Sequence, residues 1–565
     1  MNANRKLPEL LAPVGSHDML DAAIRAGVDA VYLGSKAYNA RLNAKNFDCE
    51  DIRKAVEKCH IKGVKVYVTL NTLIYDRCFF DALKVAEELY RYGVDALITA
   101  DIGFSDVLHR EIPDFELHAS TQMSGHNVRS AEYLSNMGFS RMVCAREMSG
   151  KNIKFLVEKS PIEIEMFVHG AMCVCQSGQC LMSSFIGGRS GNRGECAQPC
   201  RMQYNNTYLL SLKDMCLANH IEELIDIGVA SLKIEGRMKS PSYVYSVAST
   251  YRRLLDEHRN ATGKEIEKMA SVFSRGGFTD GYFVGKIDKE MLGVRSAADK
   301  EITKNTGIKQ IEISNNNPPV ITNKRADITC EKTGIKVSSK RCIKRNSARF
   351  YNDNAIPDTD YFEIKYLPLE RFVKGKANGI IMPPVIFDNE IGKIRELLQR
   401  ARENGAVHCL VGNIGHIQLA KDKGFIVHGD YRLNVYNNSS MYVFDEMESV
   451  ILSPELTLSQ IRDIRGAKSV IVYGRVPLMT LEKRTGQSVL RDRKKVVFPV
   501  IKESGREIVI NSVPVYMADK EDSLKKSGII DRHFIFTTES KEEVEEIIKA
   551  YREKKISKTM VKRIK

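Results

Sequence analysis

The sequence predicts an α/β protein whose N-terminal part is a (β/α)8 barrel of the TIM type. Short apolar segments alternate with segments in which apolar residues recur every three or four positions, the pattern of alternating strands and helices. Eight such strand–helix pairs fit into roughly the first 260 residues, the usual size of such a barrel. Right-handed crossovers between parallel strands favour closure of the barrel. A doubly wound sheet is the alternative fold.

The individual elements follow from the apolar pattern and from the residues that interrupt it. Runs rich in Val, Ile, Leu and Phe predict strands at 9–14, 30–34, 65–71, 96–101, 116–122, 141–147, 164–170 and 231–237. Amphipathic segments predict helices at 17–27, 49–63, 81–93, 104–112, 130–138, 151–159, 218–228 and 240–258. The first helix closes at Gly27, because glycine readily adopts the left-handed conformation that ends a helix.

Polar residues stand at the predicted strand ends, and in a barrel the carboxyl ends of the strands form the functional face. We expect these groups to converge: Gly15-Ser16, Asn71, Asp101, Ser120-Thr121-Gln122, Arg146-Glu147, His169-Gly170 and Glu235-Gly236-Arg237. For Asp101, capping of the helix that follows is an alternative role.

A cysteine-rich insertion, residues 171–216, separates the seventh strand from the eighth. Its spacing is Cys173-x6-Cys180-x15-Cys196-x3-Cys200, with Cys175 as an additional thiol. Glycines lace the segment and allow the backbone to pass close to a bulky group. Four loop thiolates suit zinc or an iron–sulfur cluster, although the paired C-x2-C of a zinc ribbon does not occur. Inert buried cysteines are the alternative.

Composition limits the class of protein. The chain has 565 residues, 43% of them apolar, and should hold two to four domains. Because there is no signal peptide and no apolar run of about 18 residues, we expect a cytoplasmic protein without a membrane segment. Cysteines clustered in a reducing compartment favour metal or redox chemistry over disulfides.

The chain is basic, which favours a polyanionic partner. Its net charge is +14, and the segments 491–495 and 551–565 are strongly basic. Solvated lysines at helix ends are the alternative explanation. Charge by itself therefore favours nucleic acid only weakly.

The second half repeats the first in weaker form. Residues 408–437 follow the plan of 96–127, and 469–484 match 162–176 with no cysteine left. The segment 531–555 parallels the last strand and helix of the first barrel. We predict three domains. Residues 1–262 form the barrel with its insertion, residues 263–370 form a linker and a small β-rich module, and residues 371–565 form a degenerate partial barrel with a basic tail. The second barrel should bind substrate or cover the first.

Two motifs carry a resemblance to a known family. Residues 165–183 read E-x-F-x2-G-A-M-C-x4-G-x-C-x-M-S, and KIEGRMKSPSYV occupies 233–244. Both resemble the diagnostic elements of the collagenase-like peptidase family, the thirty-second group of peptidases of unassigned mechanism.

The resemblance implies more than one activity. The family was named for proteolysis, but its better-understood members are oxygen-independent hydroxylases, one acting on a cytidine of 23S rRNA and one on the wobble uridine of tRNAs. A divergent pair acts on a ubiquinone precursor. The implied cofactor is a 4Fe-4S cluster, and prephenate, a small dicarboxylate, is the implied hydroxyl donor. The implied partners are the RNA and the iron–sulfur delivery machinery.

The ligands implied by the resemblance are Cys173, Cys180, Cys196 and Cys200. The quinone-modifying branch tends to lack the final C-x3-C pair, so its presence here favours the RNA-modifying branch. Cys216 is the fallback ligand, and Cys175 has no assigned role.

Basic residues at the strand ends are candidates for binding the dicarboxylate. Arg146 and Arg237 offer forked guanidinium donors, and Lys233 and Glu235 lie in the same motif as Arg237. The alternative is that either arginine pairs with a neighbouring glutamate, Glu147 or Glu235, at the barrel rim.

A peptidase would need a different constellation. The sequence contains no H-E-x-x-H and no G-x-S-x-G, so a cysteine nucleophile at Cys173 would depend on His169 as its base. Hydrogen bonding of His169 to a loop is the alternative. The leading hypothesis is therefore an RNA hydroxylase, with a collagenase-like peptidase second and a non-catalytic RNA-binding or assembly protein third.

Overall fold

The structure, a computed structural model, describes residues 6–41, 44–297, 299, 335–557 and 559–564. The strands of its first half are β1 Glu9–Val14, β2 Ala30–Gly34, β3 Lys65–Leu70, β4 Ala96–Thr99, β5 Glu116–Ala119, β6 Phe139–Val143, β7 Glu163–Gly170, β8 Asp214–Cys216, β9 Ser231–Ile234 and β10 Phe278–Thr279. Strands β1 to β7 and β9 are parallel, and β9 pairs with both β7 and β1. The sheet is therefore a closed eight-stranded barrel, which confirms the predicted fold and excludes an open doubly wound sheet.

Eight α-helices cover this barrel: His17–Arg25, Cys49–His60, Asp76–Arg91, Ile102–Glu111, Val128–Asn136, Gly150–Lys159, Ile221–Ile227 and Pro241–Asp256. Each lies within a few residues of its predicted position. Most begin after a serine, aspartate or asparagine whose side chain accepts a hydrogen bond from a backbone N–H of the first turn. Two further helices, Gly263–Val272 and Gly281–Val284, follow.

Several predicted strands end too late. Strands β4 and β5 stop at Thr99 and Ala119, because Asp101 and Ser120 cap the helical turns that follow. The capping role of Asp101, one of the two alternatives, is thus confirmed. Strand β6, Phe139–Val143, begins two residues before the predicted strand and ends four residues before it. Arg146 therefore lies in the loop that follows β6.

The cysteine-rich insertion lies between β7 and the helix Ile221–Ile227, as predicted. It contains one short helix, Met182–Gly187, and ends in β8, which runs antiparallel to β7 at His169 and Gly170. The insertion therefore rises from the carboxyl end of a barrel strand and returns to the same strand.

A second barrel follows, with a small sheet inserted into it. Its strands are β11 Arg345–Phe350, β12 Ile364–Pro368, β13 Gly379–Ile381, β14 His408–Val411, β15 Ile426–Gly429, β16 Ser449–Ile451, β17 Lys468–Gly474, β18 Pro477–Leu481, β19 Val489–Arg491, β20 Val497–Glu503, β21 Arg506–Ile510, β22 Val515–Tyr516 and β23 Asp531–Phe536. Strands β11 to β17 and β23 are parallel, and β23 pairs with both β17 and β11.

The predicted second, degenerate barrel is confirmed, and its degeneracy lies in the helical layer. Helices Ile391–Glu403, Ile417–Lys421, Asn438–Val443, Leu458–Asp463, Glu521–Lys526 and Lys541–Arg552 cover it. The fully described segment 351–363, between β11 and β12, holds only a short 3-10 turn. The strands themselves close into a ring, so the second barrel is partial in its helical layer and not in its sheet. Its first two strands fall inside 263–370, the segment that the sequence assigned to a linker.

Most of the predicted small β module, residues 300–334, lies outside the described residues. A small antiparallel sheet in the order β18-β21-β20-β19 interrupts the second barrel after β17. This is the seventh barrel strand, so the sheet occupies the position that the cysteine-rich insertion holds in the first barrel.

The two barrels pack through equivalent helices. The helix Ile102–Glu111 contacts Asn438–Val443, and Val128–Asn136 contacts the turn at Ile414–His416. A Cβ added at Gly103 would lie 2.2 Å from the Ser440 backbone nitrogen, and one at Gly415 would lie 2.4 Å from the Ser130 hydroxyl. Glycine therefore allows the close approach on both sides. No helix among the described residues is long and apolar enough to cross a bilayer.

Candidate functional site

One cavity at the carboxyl ends of the first barrel's strands collects the clustered thiols. Its volume is about 290 Å³, and its wall includes Cys173, Cys175, Cys180, Cys196 and Cys200. Cys173 and Cys196 are exposed, whereas Cys175 is buried. The pKa of Cys180 is raised well above its usual range, mainly by a hydrogen bond with the Cys175 thiol and, after that, by burial. The inserted loop thus brings all four predicted ligands, and the additional thiol, to one place.

The fallback ligand, Cys216, lies elsewhere. Cys216 is buried, with its sulfur 3.8 Å from the Tyr251 hydroxyl, and it is not part of the cavity wall. Within the described part of the chain, no three His, Cys, Asp or Glu side chains lie close enough to hold one metal ion. The four predicted ligands therefore share the wall of one cavity without forming a single-ion site in this part of the chain.

A buried glutamate anchors the start of the cysteine loop. Glu147 accepts hydrogen bonds from the backbone and the hydroxyl of Ser177, at 3.0 and 2.9 Å, and from the His126 imidazole at 2.7 Å. Burial alone would raise the pKa of Glu147, but His126 and Ser177 together lower it. At Gly178, where φ is +76°, an added Cβ would lie 2.0 Å from the Gln122 carbonyl oxygen. The loop therefore lies directly on the end of β5.

The second barrel covers the same loop from the other side. In strand β18, the Thr480 carbonyl accepts a hydrogen bond from the Gln176 backbone N–H, and the Leu478 carbonyl accepts one from the Leu181 backbone N–H, both at 2.9 Å. Met479 contributes to the cavity wall. This agrees with the expectation that the second barrel covers the first, and the covering element is the inserted sheet rather than the barrel itself.

Two arginines hold Glu235 at the edge of the cavity. The Arg146 guanidinium lies 3.1 Å from the Glu235 carboxylate, and that of Arg41 lies 3.5 Å from its other oxygen. Burial would raise the pKa of Glu235, but Arg41 and Arg146 lower it to about 2. Arg146 also donates to the Ala171 carbonyl at 3.0 Å and stacks over Phe167. Glu235 is thus ionised and holds both guanidinium groups in place.

The charged part of the cavity wall is mainly basic. Beside Arg41, Arg146 and Glu235 it includes Arg201, Lys239 and Arg275. Burial lowers the pKa of Lys239 to about 7. Five basic side chains therefore line the wall with one carboxylate, and one of the five, Arg275, pairs with Asp214 outside the wall. The remaining excess of positive charge favours an anionic ligand.

His169 is not part of this site. A bulge in β7 between Phe167 and His169 turns the His169 side chain outward, against Tyr251 and Phe278. It is buried, and burial lowers its pKa to about 3, so the imidazole is neutral. The proposed pairing of His169 with Cys173 is not supported.

Lys233 and Arg237 also lie outside the cavity wall. Lys233 donates to Glu165 at 2.7 Å in the barrel interior, where Arg141 lies 3.3 Å from the same carboxylate. Arg237 donates to the Thr69 hydroxyl at 2.8 Å. Of the five predicted catalytic residues, the structure brings only Arg146 and Glu235 to the cysteines.

Sequence reasoning missed Arg41, Lys239 and Gln176, which all line the cavity. The signal for Arg41 was the polar run Asn39–Asn46 directly after β2. Lys239 lies two residues beyond the predicted Arg237, in the same motif. Nothing in the spacing distinguished Gln176 from other loop residues.

Three relatives each match about half of this chain. These are the 23S rRNA 5-hydroxycytidine C2501 synthase of Escherichia coli, 40% identical over 50% of this chain and 43% of its own; the collagenase of Porphyromonas gingivalis, 36% over 49% and 74%; and the tRNA hydroxylation protein P1 of Bacillus subtilis, 38% over 45% and 64%. The match thus spans less than half the length of the E. coli protein.

A solved structure of a U32 peptidase aligns with 30% of this chain and 72% of its own, at 15% identity and a TM-score of 0.27. The sequence profile of peptidase family U32 matches residues 15–293 and 374–489. These two segments include the cysteine cavity, much of the second barrel and more than half of the sequence. The chain therefore belongs to peptidase family U32.

Proposed function

We propose that the protein is an iron–sulfur-dependent, oxygen-independent RNA hydroxylase that modifies a pyrimidine of ribosomal or transfer RNA, with prephenate as hydroxyl donor. The observation that carries the proposal is the shared cavity of Cys173, Cys180, Cys196 and Cys200, with its excess of basic groups. The relatives named for rRNA and tRNA hydroxylation support the same reaction class.

The four thiols fit a 4Fe-4S cluster better than a single metal ion. A cluster bridges thiolates that are too far apart to share one ion, which agrees with their separate places around the cavity. When bound, the cluster would supply Lewis-acidic iron. Because its thiolates and sulfides are anionic, part of the positive charge of the wall would balance it.

The remaining positive charge suits a dicarboxylate donor. Arg41 and Arg146 present forked donors at the strand ends, and their shared contact with Glu235 fixes both forks. A carboxylate buried without such partners would cost several kcal/mol. These residues would bind and orient the donor beside the cysteines.

A basic turn beside the cavity suits RNA. Arg493, Lys494 and Lys495 are exposed between β19 and β20. Asn205, which follows the last clustered cysteine, exchanges two 2.9 Å hydrogen bonds with the Arg491 backbone and so holds this turn next to the loop. The other basic segment, 551–565, is partly docked, since Lys562 pairs with the chain at Pro514 and Tyr516.

A collagenase-like peptidase is the second candidate, because one relative is named a collagenase. Its weakness is that His169, the base expected for Cys173, faces away from the cavity. A non-catalytic RNA-binding or assembly protein is the third candidate.

Two measurements test the proposal. Protein purified without oxygen should contain iron and absorb broadly in the visible region. Cells lacking the gene should lose one hydroxylated pyrimidine by mass spectrometry of digested RNA, and Arg146→Gln should not restore it. Arg110→Gln, on the outer helical layer, is the matched control and should restore it. Wild-type levels of every hydroxylated pyrimidine in the deletion strain, with loss of a peptide-cleaving activity, would favour the peptidase.

A further inference from the structure

Gln176 lines the cavity, and its side-chain amide has no hydrogen-bond partner among the described residues. The residue is 1% exposed, and neither its Nε2 nor its Oε1 bonds to any described residue. Buried amides normally have partners for both atoms, because a buried polar group without one is unfavourable. Gln176 therefore has both a donor and an acceptor to offer to a ligand.

A second amide in the same cavity is in a similar state. Asn192 is 5% exposed, and its Nδ2 lacks a hydrogen-bond partner among the described residues. It lies on the part of the loop between Cys180 and Cys196, whereas Gln176 lies between Cys175 and Cys180. The two amides thus belong to different segments of the wall.

Hydrogen bonds fix the backbone at Gln176. Its backbone N–H donates to Thr480 at 2.9 Å, and the next residue, Ser177, is held by Glu147. Gln179, three residues later, shows the ordinary case: its amide donates to the Ser124 hydroxyl at 3.0 Å and the Arg432 carbonyl at 3.2 Å. The lack of partners is therefore not shared by every amide of the loop.

The hydrogen-bonding groups of an amide limit the chemical class of the ligand. Cluster sulfurs and carboxylates only accept hydrogen bonds, so either would leave Oε1 of Gln176 unpaired. The basic side chains of the wall already serve an anion. A pyrimidine base presents a donor next to an acceptor, N4–H and N3 in cytosine, N3–H and O4 in uracil, and side-chain amides pair with such edges in two hydrogen bonds.

We propose that Gln176, assisted by Asn192, forms a subsite that recognises the hydrogen-bonding edge of a pyrimidine base turned out of its RNA. This rests on the proposed function for the source of the base. Because an amide can turn over, the subsite accepts either cytosine or uracil, and the segments around it select the RNA.

Free cytidine and uridine are the probes, since they carry no phosphate and so do not engage the basic wall. Binding is measured by equilibrium dialysis to the full chain, with iron content and thermal unfolding followed in parallel. Gln176→Leu should weaken nucleoside binding about tenfold or more, because two hydrogen bonds are lost. Asn192→Ala should weaken it less. Binding of malonate, a probe of the basic wall, should not change in either variant.

Gln179→Leu is the matched control, since it removes a partnered amide from the same loop. It should lower the unfolding temperature and leave nucleoside binding unchanged. Gln176→Leu should keep or raise the unfolding temperature, because it removes an unpaired buried amide. Unchanged nucleoside binding in Gln176→Leu, or its loss of fold and iron, would overturn the subsite. If nucleoside binding depends on Gln176 but the purified protein contains no iron, the subsite is supported and the hydroxylase proposal fails.

Discussion

The carboxylate of Asp101, in the first barrel, accepts a hydrogen bond from the side-chain amide of Asn437, in the second barrel, at 2.7 Å. The same carboxylate accepts the Phe104 N–H of its own helix and the Ser440 hydroxyl, each at 3.0 Å. On the equivalent other side, the Asn413 amide donates to the Ser124 carbonyl at 2.9 Å. Residues that end strands and cap helices therefore also join the two barrels.

Asp101→Ala should lower the free energy of unfolding by about 2 to 4 kcal/mol. The change removes a helix cap and leaves the buried Asn437 amide and Ser440 hydroxyl without their acceptor. Urea denaturation measures the difference. Asp106→Ala is the control on the same helix, and loss of its partly exposed pair with Arg110 should cost less than about 1 kcal/mol. Equal losses in the two variants would contradict this prediction.

Cys180→Ser and Cys196→Ser should each remove most of the bound iron, because both thiols face the shared cavity. Cys216→Ser and Cys409→Ser should retain iron, since Cys216 contacts Tyr251 and Cys409 is buried in the second barrel. Colorimetric iron analysis of anaerobically purified protein measures this. Equal iron in wild type and Cys180→Ser would show that the cavity does not hold the cluster through this loop.

Replacement of Arg493, Lys494 and Lys495 by Gln should make RNA binding less salt-dependent. Each phosphate contact releases counterions, so the slope of log affinity against log salt should fall by about 2 for three contacts with single-stranded RNA. Filter binding at salt concentrations from about 50 to about 300 mM measures this slope. The control replaces Lys62, Lys65 and Lys159, which are exposed at the opposite end of the first barrel. An identical slope in both triple variants would rule out the turn as a specific RNA contact.

Lys239 should react with acylating reagents at neutral pH. Burial lowers its pKa to about 7, so about half of its amines are neutral there, against roughly one in two thousand for an ordinary lysine. Mass spectrometry of the labelled peptide at pH 6 to 10 gives the midpoint. Asp214 opposes the shift, so Asp214→Asn should move the midpoint to lower pH. A labelling midpoint near pH 10 in wild type would disprove the shift.

Much of the first barrel could be predicted because its strands and helices alternate regularly. The first two strands of the second barrel could not, since the segments between β11, β12 and β13 contain short 3-10 turns and no α-helix, so the helical pattern is missing there. The inserted sheet was missed for a related reason: its strands follow β17 without any change in the surrounding apolar pattern.

For the site, the spacing of the cysteines predicted one shared loop, and the strand ends predicted Arg146 and Glu235. Strict alternation along β7 predicts that His169 lies inside the barrel, whereas the bulge after Phe167 reverses its direction and places it outside the cavity. A bulge depends on pairing with β9, which is more than sixty residues away in the sequence.

The sequence by itself determined the barrel architecture and the grouping of the thiols, because both depend on residues that are near neighbours along the chain. Only the tertiary structure decided which charges are paired and which are free. Arg146 meets Glu235 across 89 residues, and Asp101 meets Asn437 across 336. Gln176 keeps an unpaired amide because β18, from the other half of the chain, takes up its backbone and not its side chain. Hydrogen bonds and ion pairs act through space over a few ångströms, and sequence periodicity carries no information about such distant partners.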